Sequence, residues 1–309
     1  MKNEFGLEVL PAPTRAFDAD DPAELLAFAV ESFRRGPVAI GTLVGIRGGA
    51  ARALGSHVII ADDGRFAGYV SGGCVEAAVA FEALQAMREG RDRTVSFGDG
   101  SPFMDIVLPC GGGITVAIHI LREIDNLELV LDHLKRRQRA ALRYSPSKQS
   151  LVPVVAPRRA GWLGEDFISV YRPQTRVVIS GQTLEAQSVA RLAEVAGYDV
   201  VLLPINRADR IARQEIDAFS AVVVLHHDLE KEMLVLPIAM ESPAFYIGAL
   251  GSTRTHGRRI ERLAALGHRV TGFSRLKAPI GMFGPARDSS SLALSVLADI
   301  AATRLATFE

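Results

Sequence analysis

The sequence predicts an α/β protein of two domains. The first is a mixed α/β N-terminal domain, and the second is a C-terminal Rossmann-like domain with a doubly wound parallel sheet. Three observations lead there. The chain has 309 residues, 48% hydrophobic and 23% charged, which fits about two globular domains with ample cores. The second half opens with a strand from Arg176 to Ile179, the turn stretch Ser180-Gly181-Gln182-Thr183-Leu184-Glu185-Ala186, then a helix to Ala196 and a strand from Asp199 to Leu203. That is the order of a Rossmann opening. The first half instead alternates short strands with glycine turns. Residues 1–145 are assigned to the first domain and 176–309 to the second. Residues 146–175 are the expected linker, because Pro146, Pro153, Pro157, Gly161, Gly164 and Pro173 crowd it. Trp162, the only tryptophan, falls in that linker and is expected to pack between the domains, with a cover over the first-domain site as the other reading.

The elements follow in order. Residues 1–22 read as an arm. Asp21-Pro22 is a helix start, with Asp as N-cap and Pro in the first turn. The helix to Arg35 carries Leu25, Leu26, Ala29, Val30 and Phe33 at helical spacing. Val38 to Ile46 is a strand, followed by the loop Arg47 to Gly55. His57 to Ala61 and Phe66 to Val70 are strands joined by the hairpin turn Asp62-Asp63-Gly64. A helix from Cys74 to Arg88 follows, then strands at 94–97, 106–108 and 114–121. Asn126 to Ala141 is a helix with a basic C-terminal end, which suits the helix dipole. Later come a strand ending in His226-His227-Asp228, a strand at 245–248, a helix from Arg254 to Leu266 and a closing helix from Ser290 to Leu305.

Lys+Arg and Asp+Glu both number 35, so the net charge is zero and nothing calls for nucleic acid or an anionic membrane. No apolar run is read as long enough to span a bilayer. The start, Met1-Lys2-Asn3-Glu4-Phe5, has no signal-peptide core. Two cysteines without such a signal point to reduced thiols in the cytoplasm.

Those cysteines mark the candidate site. Cys74 lies in Val70-Ser71-Gly72-Gly73-Cys74-Val75-Glu76, and Cys110 in Pro109-Cys110-Gly111-Gly112-Gly113. Glycine lets the backbone take φ > 0 and lets a ligand approach the N–H groups. Ser71, Gly72, Gly73 and Cys74 stand where a strand ends and a helix begins, a place that suits an anion such as a phosphate. Glu76 is open to two readings, an acceptor for ligand N–H groups or an acid favoured by the helix start. Simple packing is the other reading of the cysteines. In the second half, Gly251, Ser252 and His256 again describe a glycine turn at a helix N-terminus. His226-His227-Asp228 is a weak metal candidate, because adjacent strand residues face opposite ways and no further ligand is in view.

Ser-Gly-Gly-Cys-Val-Glu followed by Cys-Gly-Gly is similar to the XdhC/CoxI family of molybdenum cofactor insertion chaperones, the xanthine dehydrogenase accessory proteins. The resemblance covers roughly residues 24–304. The loop Arg47 to Gly55 resembles the family's Gly-Ser-x-Pro-Arg loop, with Arg52 and Gly55 matching and Ala51 and Ala53 where the family carries prolines. Arg52 is either a phosphate contact or a surface charge. Ala249-Leu250-Gly251-Ser252 with His256, and Ala278-Pro279-Ile280-Gly281, match two further family stretches.

The resemblance implies a cytoplasmic chaperone that binds molybdenum cofactor (molybdopterin), protects it and passes it to an apo molybdenum hydroxylase of xanthine or carbon monoxide dehydrogenase type. The cofactor would be held by Arg52, Ser71, Gly72, Gly73, Cys74, Glu76, Cys110, Gly111, Gly112, Gly251, Ser252 and His256. Cys74 and Cys110 would be the soft ligands to the metal. A cysteine desulfurase is a further candidate partner, and a homo-oligomer is expected. No nucleophile–base pair stands out, so a maturation factor is expected rather than an enzyme.

Two alternatives stay open. One is an NAD(P)-dependent oxidoreductase built on the C-terminal domain. Against it, Thr183 replaces the second fingerprint glycine, and Leu203-Pro204-Ile205-Asn206 lacks the acid that a ribose needs. The other is a thiol relay through the two cysteines, although there is no C-x-x-C.

Overall fold

The computed structural model describes residues 10–98, 112–204, 208–267 and 274–308. The chain divides into two compact units, Met1–Arg172 and Pro173–Glu309.

The first unit runs β1 (Thr14–Phe17), α1 (Pro22–Phe33), β2 (Val38–Arg47), β3 (His57–Ala61), β4 (Arg65–Gly68), α2 (Glu76–Glu89), β5 (Arg93–Gly98), β6 (Gly113–Ile120), α3 (Asp125–Lys135), β7 (Ala140–Ser145), β8 (Ser150–Val154), β9 (Gly161–Leu163) and β10 (Asp166–Tyr171). Asp21 caps α1 as its sequence predicts, accepting the N–H groups of Ala23 at 2.8 Å and Glu24 at 3.1 Å. Six strands form one sheet in the order β1-β4-β3-β2-β6-β5. All its pairs are antiparallel except β1 with β4.

The alternation along β2 distributes its side chains. Ala39 and Leu43 join Val79, Ala80 and Ala83 of α2 in one core. Val38 and Ile40 join α1 and α3 in the core on the other face. Gly41 belongs to the α2 side. A β-carbon there would come within 2.8 Å of Val58 Cγ1 and 3.1 Å of Val79 Cγ1, so the missing side chain lets the helix settle on the sheet.

Two expectations are corrected here. The arm contains β1, which pairs in parallel with β4. The expected linker contains β8, β9 and β10, which join β7 in a second sheet of order β8-β7-β10-β9. Phe167 and Tyr144 of that sheet pack on Val44 and Ala117 of the first. Proline and glycine often mark chain breaks, but here Pro153 lies within β8, paired with Leu142, and Gly161 opens β9. Trp162 therefore belongs to the first unit. Its indole N–H donates to the Val44 carbonyl at 2.8 Å, and its ring meets Phe167 edge-on.

The second unit runs β11 (Arg176–Ser180), α4 (Leu184–Val195), β12 (Asp199–Leu203), α5 (Ala208–Glu215), β13 (Ser220–Val224), α6 (Leu229–Glu232), α7 (Leu236–Glu241), β14 (Tyr246–Ala249), α8 (Thr253–Ala265), β15 (Leu276–Lys277) and α9 (Ser289–Phe308). The sheet is wholly parallel, in the order β12-β11-β13-β14-β15. Both faces are covered, as the near-continuous apolar strands require. α4 and α9 cover one face through Val189, Ala193, Val296 and Ile300. Residues of α5, α7 and α8, among them Ala212, Leu236 and Leu263, cover the other. This is the doubly wound arrangement. α9 is 20 residues long and, against the expectation from sequence, apolar enough by length and composition to cross a membrane. Its apolar stripe packs against α4 and the sheet, and Asp299 is buried within it.

Candidate functional site

Strand directions bring the glycine loops of the first unit to one end of its main sheet. β2 ends at Arg47 opposite Gly113, where β6 begins. β5 ends at Gly98 opposite the same Gly113. β4 ends at Gly68 opposite Val58, near the start of β3. The loop after β2, the loop of residues 71–75 and Gly112 therefore leave the sheet together. The glycines let them close up. A β-carbon on Gly112 would lie 2.6 Å from the carbonyl oxygens of both Arg47 and Gly49, and one on Gly98 would lie 2.3 Å from the carbonyl of Gly112. Gly72 also comes near the loop after β2, its ideal β-carbon lying 3.4 Å from Ala51. Cys110 and Gly111 lie outside the described residues.

Within residues 71–75 the amides are arranged differently from the expectation. Gly72 and Gly73 have φ of 102° and 121°, a backbone open to glycine. α2 begins at Glu76, two residues later than predicted, and Val75 offers no side-chain cap. Glu76 turns back instead. Its Oε1 accepts the N–H groups of Val70, Ser71 and Gly72 at 2.9, 2.8 and 3.2 Å. Its Oε2 accepts those of Gly73 and Val75 at 2.9 and 3.3 Å. The Ser71 hydroxyl donates to the carboxylate at 2.9 Å, and its oxygen accepts the N–H groups of Cys74 and Val75 at 3.1 and 3.2 Å.

The anion in this nest is the chain's own carboxylate. Glu76 is 1% exposed, and its two oxygens are turned to the N–H groups of its own loop. The Gly72 and Gly73 amides, expected to hold a phosphate, are already spoken for. Burial pushes the Glu76 carboxyl up, but the N–H bonds from Ser71 and Val70 outweigh it and hold the group below its ordinary value. Cys74, by contrast, is an exposed free thiol.

Arg52 is paired. Its Nη1 donates to Asp20 at 2.9 Å, and its guanidinium lies 5.1 Å from the centre of the Tyr69 ring. His57, at the start of β3, is a residue whose role the sequence does not disclose. Its Nδ1 meets the Thr42 hydroxyl at 3.1 Å and its Nε2 meets the Tyr171 hydroxyl at 2.9 Å. Burial lowers its pKa to about 4, so the ring is neutral.

In the second unit Gly251 has φ of 132° and Ser252 caps α8, accepting the Thr255 N–H at 3.2 Å. His256 follows on the first turn. Burial, with Arg259 nearby, lowers its pKa. The Gly251-Ser252 turn and the stretch beginning Pro279-Ile280-Gly281 line one cavity of about 590 Å³. Two motifs far apart in sequence meet there. Behind it, the fully buried Arg259 makes a side-on pair with Glu232, at 2.5 and 2.9 Å, and Nη2 also donates to the Leu250 carbonyl. Neither Arg259 nor Glu232 stands out in the sequence, where an arginine on a basic helix reads as surface.

The damaged dinucleotide fingerprint has a structural use. Thr183 is the N-cap of α4, and a β-carbon on Gly181 would strike the Leu225 carbonyl at 2.6 Å. His226 turns inward, its Nε2 at 2.9 Å from the Ser180 hydroxyl, while Asp228 caps α6. Among the described residues no cluster of His, Cys, Asp and Glu could hold a metal ion.

Comparison with known proteins decides the family. Residues 33–98 match the XdhC and CoxI family, and residues 177–300 match the XdhC Rossmann domain. A molybdenum cofactor insertion chaperone of Escherichia coli, PaoD, is 49% identical over 294 residues, covering 95% of this chain and 92% of that protein. The chain belongs to the XdhC and CoxI family. A Bacillus subtilis protein, named a probable subunit of xanthine dehydrogenase, is a more distant relative of this XdhC/CoxI protein. It is 24% identical over 86% of this chain and 92% of that one. The crystal structure of a protein titled a xanthine dehydrogenase from Bacillus halodurans superposes with a TM-score of 0.72. It covers 93% of this chain and 96% of that one at 21% identity, and so supports the shared fold.

Proposed function

We propose that this protein binds molybdenum cofactor as cargo and delivers it to an apo molybdenum hydroxylase in the cytoplasm. The observation that carries the reading is the 49% identity, over nearly the whole chain, to a molybdenum cofactor insertion chaperone. The chemistry of the first unit fits. Cys74 stands exposed on a glycine loop, and its thiolate, with that of Cys110, supplies the soft donors that a sulfur-rich molybdenum centre prefers. Gly112 brings the end of the Cys110 motif to the end of the sheet that carries the Cys74 loop. Because Glu76 fills the amide nest, the cofactor's phosphate is assigned to another donor of the same unit, with Arg52 as the candidate. A cysteine desulfurase that renews the terminal sulfur, and self-association, belong to the same proposal.

The test is direct. Purified protein mixed with cofactor released from a molybdenum hydroxylase should retain about one molybdenum per chain. The double variant Cys74→Ala, Cys110→Ala should retain about tenfold less at limiting cofactor. Equal retention by the variant removes the thiols from the site.

A further inference from the structure

We propose that Glu76 is the positioning residue of the Cys74 thiol, an internal anion around which the ligand loop is built. The inference rests on the reading of Cys74 given above. Every backbone N–H from Val70 to Val75 points inward to one of two side chains, Glu76 or Ser71. Six consecutive amides thus converge on a carboxylate and the hydroxyl bonded to it. Glu76 is 1% exposed, and its charge is met by amides and that hydroxyl. A buried carboxylate is tolerated only where such donors surround it.

The arrangement does more than start a helix, since a single Ser or Asp at the cap position would do that. Here the carboxylate gathers the backbone of two left-handed glycines into one conformation. The side chain of Cys74 is the one group in the loop left exposed with chemistry to offer. Drawing the amides inward fixes which way the thiol faces, and a ligand atom held in advance is not ordered at binding. Glu76 touches no cargo in this scheme. It acts through the loop.

Glu76→Gln keeps the shape but sets an NH₂ group against N–H donors. It should weaken retention of molybdenum cofactor by about tenfold, mainly through faster release. Glu76→Ala leaves the nest empty, and formate, a free carboxylate, should restore at least half of the cofactor binding that Glu76→Ala loses. A role in fold stability alone predicts that both folded variants bind as the parent does, and that formate raises only their unfolding temperature. Retention by folded Glu76→Gln within about twofold of the parent overturns the proposal. So does folded Glu76→Ala that formate leaves inactive. If Glu76→Gln does not fold, the formate titration of Glu76→Ala decides. A loss of binding in Cys74→Ala beside full binding in Glu76→Gln sinks this inference and leaves the cargo site standing. Full binding in both overturns this inference and removes Cys74 from the site as well.

Discussion

At the scale of single residues, His57 makes the clearest pH prediction. It is buried between Thr42 and Tyr171, and its pKa in the folded protein is about 4 against an ordinary 6.5. Above pH 6.5 the ring is neutral folded or unfolded. Between pH 6.5 and 4 only the unfolded chain takes the proton, so stability falls as the pH falls through that window. The loss attributable to His57 should reach about 3 kcal/mol at the acid end. Urea midpoints measured across this range should decline more steeply for the parent than for His57→Gln, and parallel curves would contradict the assignment. Legibility at this scale is uneven. Cys74 can be read from sequence because thiols are rare in the chain and this one stands against Gly-Gly. The inward turn of Glu76 cannot, because local pattern does not tell whether a carboxylate beside a glycine turn faces the chain or the solvent. His57 is hidden for a similar reason, since its partner Tyr171 lies 114 positions away.

At the scale of elements, close packing makes specific demands. Gly41 of β2 lies under α2, and Gly41→Ala would press a methyl group on Val58 and Val79. We expect a loss of about 1–3 kcal/mol in chemical denaturation, the usual range for overpacking. A change below about 0.5 kcal/mol would show that α2 can shift at little cost. Arg259 and Glu232 tie α8 to α6 in a fully buried pair. Glu232→Gln leaves an uncompensated guanidinium, and about 3–5 kcal/mol should go with it. The thermal unfolding temperature should fall markedly, and replacing both partners with apolar residues should restore much of it. The strands and helices of the parallel sheet are legible because their apolar runs and caps are local. β8, β9 and β10 escape notice because Pro153, Pro157 and Gly161 carry the marks of a linker, while the pairing that makes them strands is non-local.

At the scale of the whole molecule, the residue at which the first unit ends is itself testable. Residues 146–172 hold the strands that cover Val44 and Ala117. A fragment of residues 1–172 should fold cooperatively and stay soluble. One that stops at residue 145 should expose that face and aggregate, as size-exclusion chromatography would show. Equal behaviour of the two fragments would return the boundary to the one expected from sequence.

The self-filled nest has a consequence beyond the site. Turns that gather amides in this way attract inorganic phosphate and other small anions. Here that berth is closed by Glu76 from within the chain. Abundant small anions cannot lodge beside the thiol unless they first evict a carboxylate bound to its own backbone. The loop's amides are thereby closed to such anions while the Cys74 thiol stays exposed.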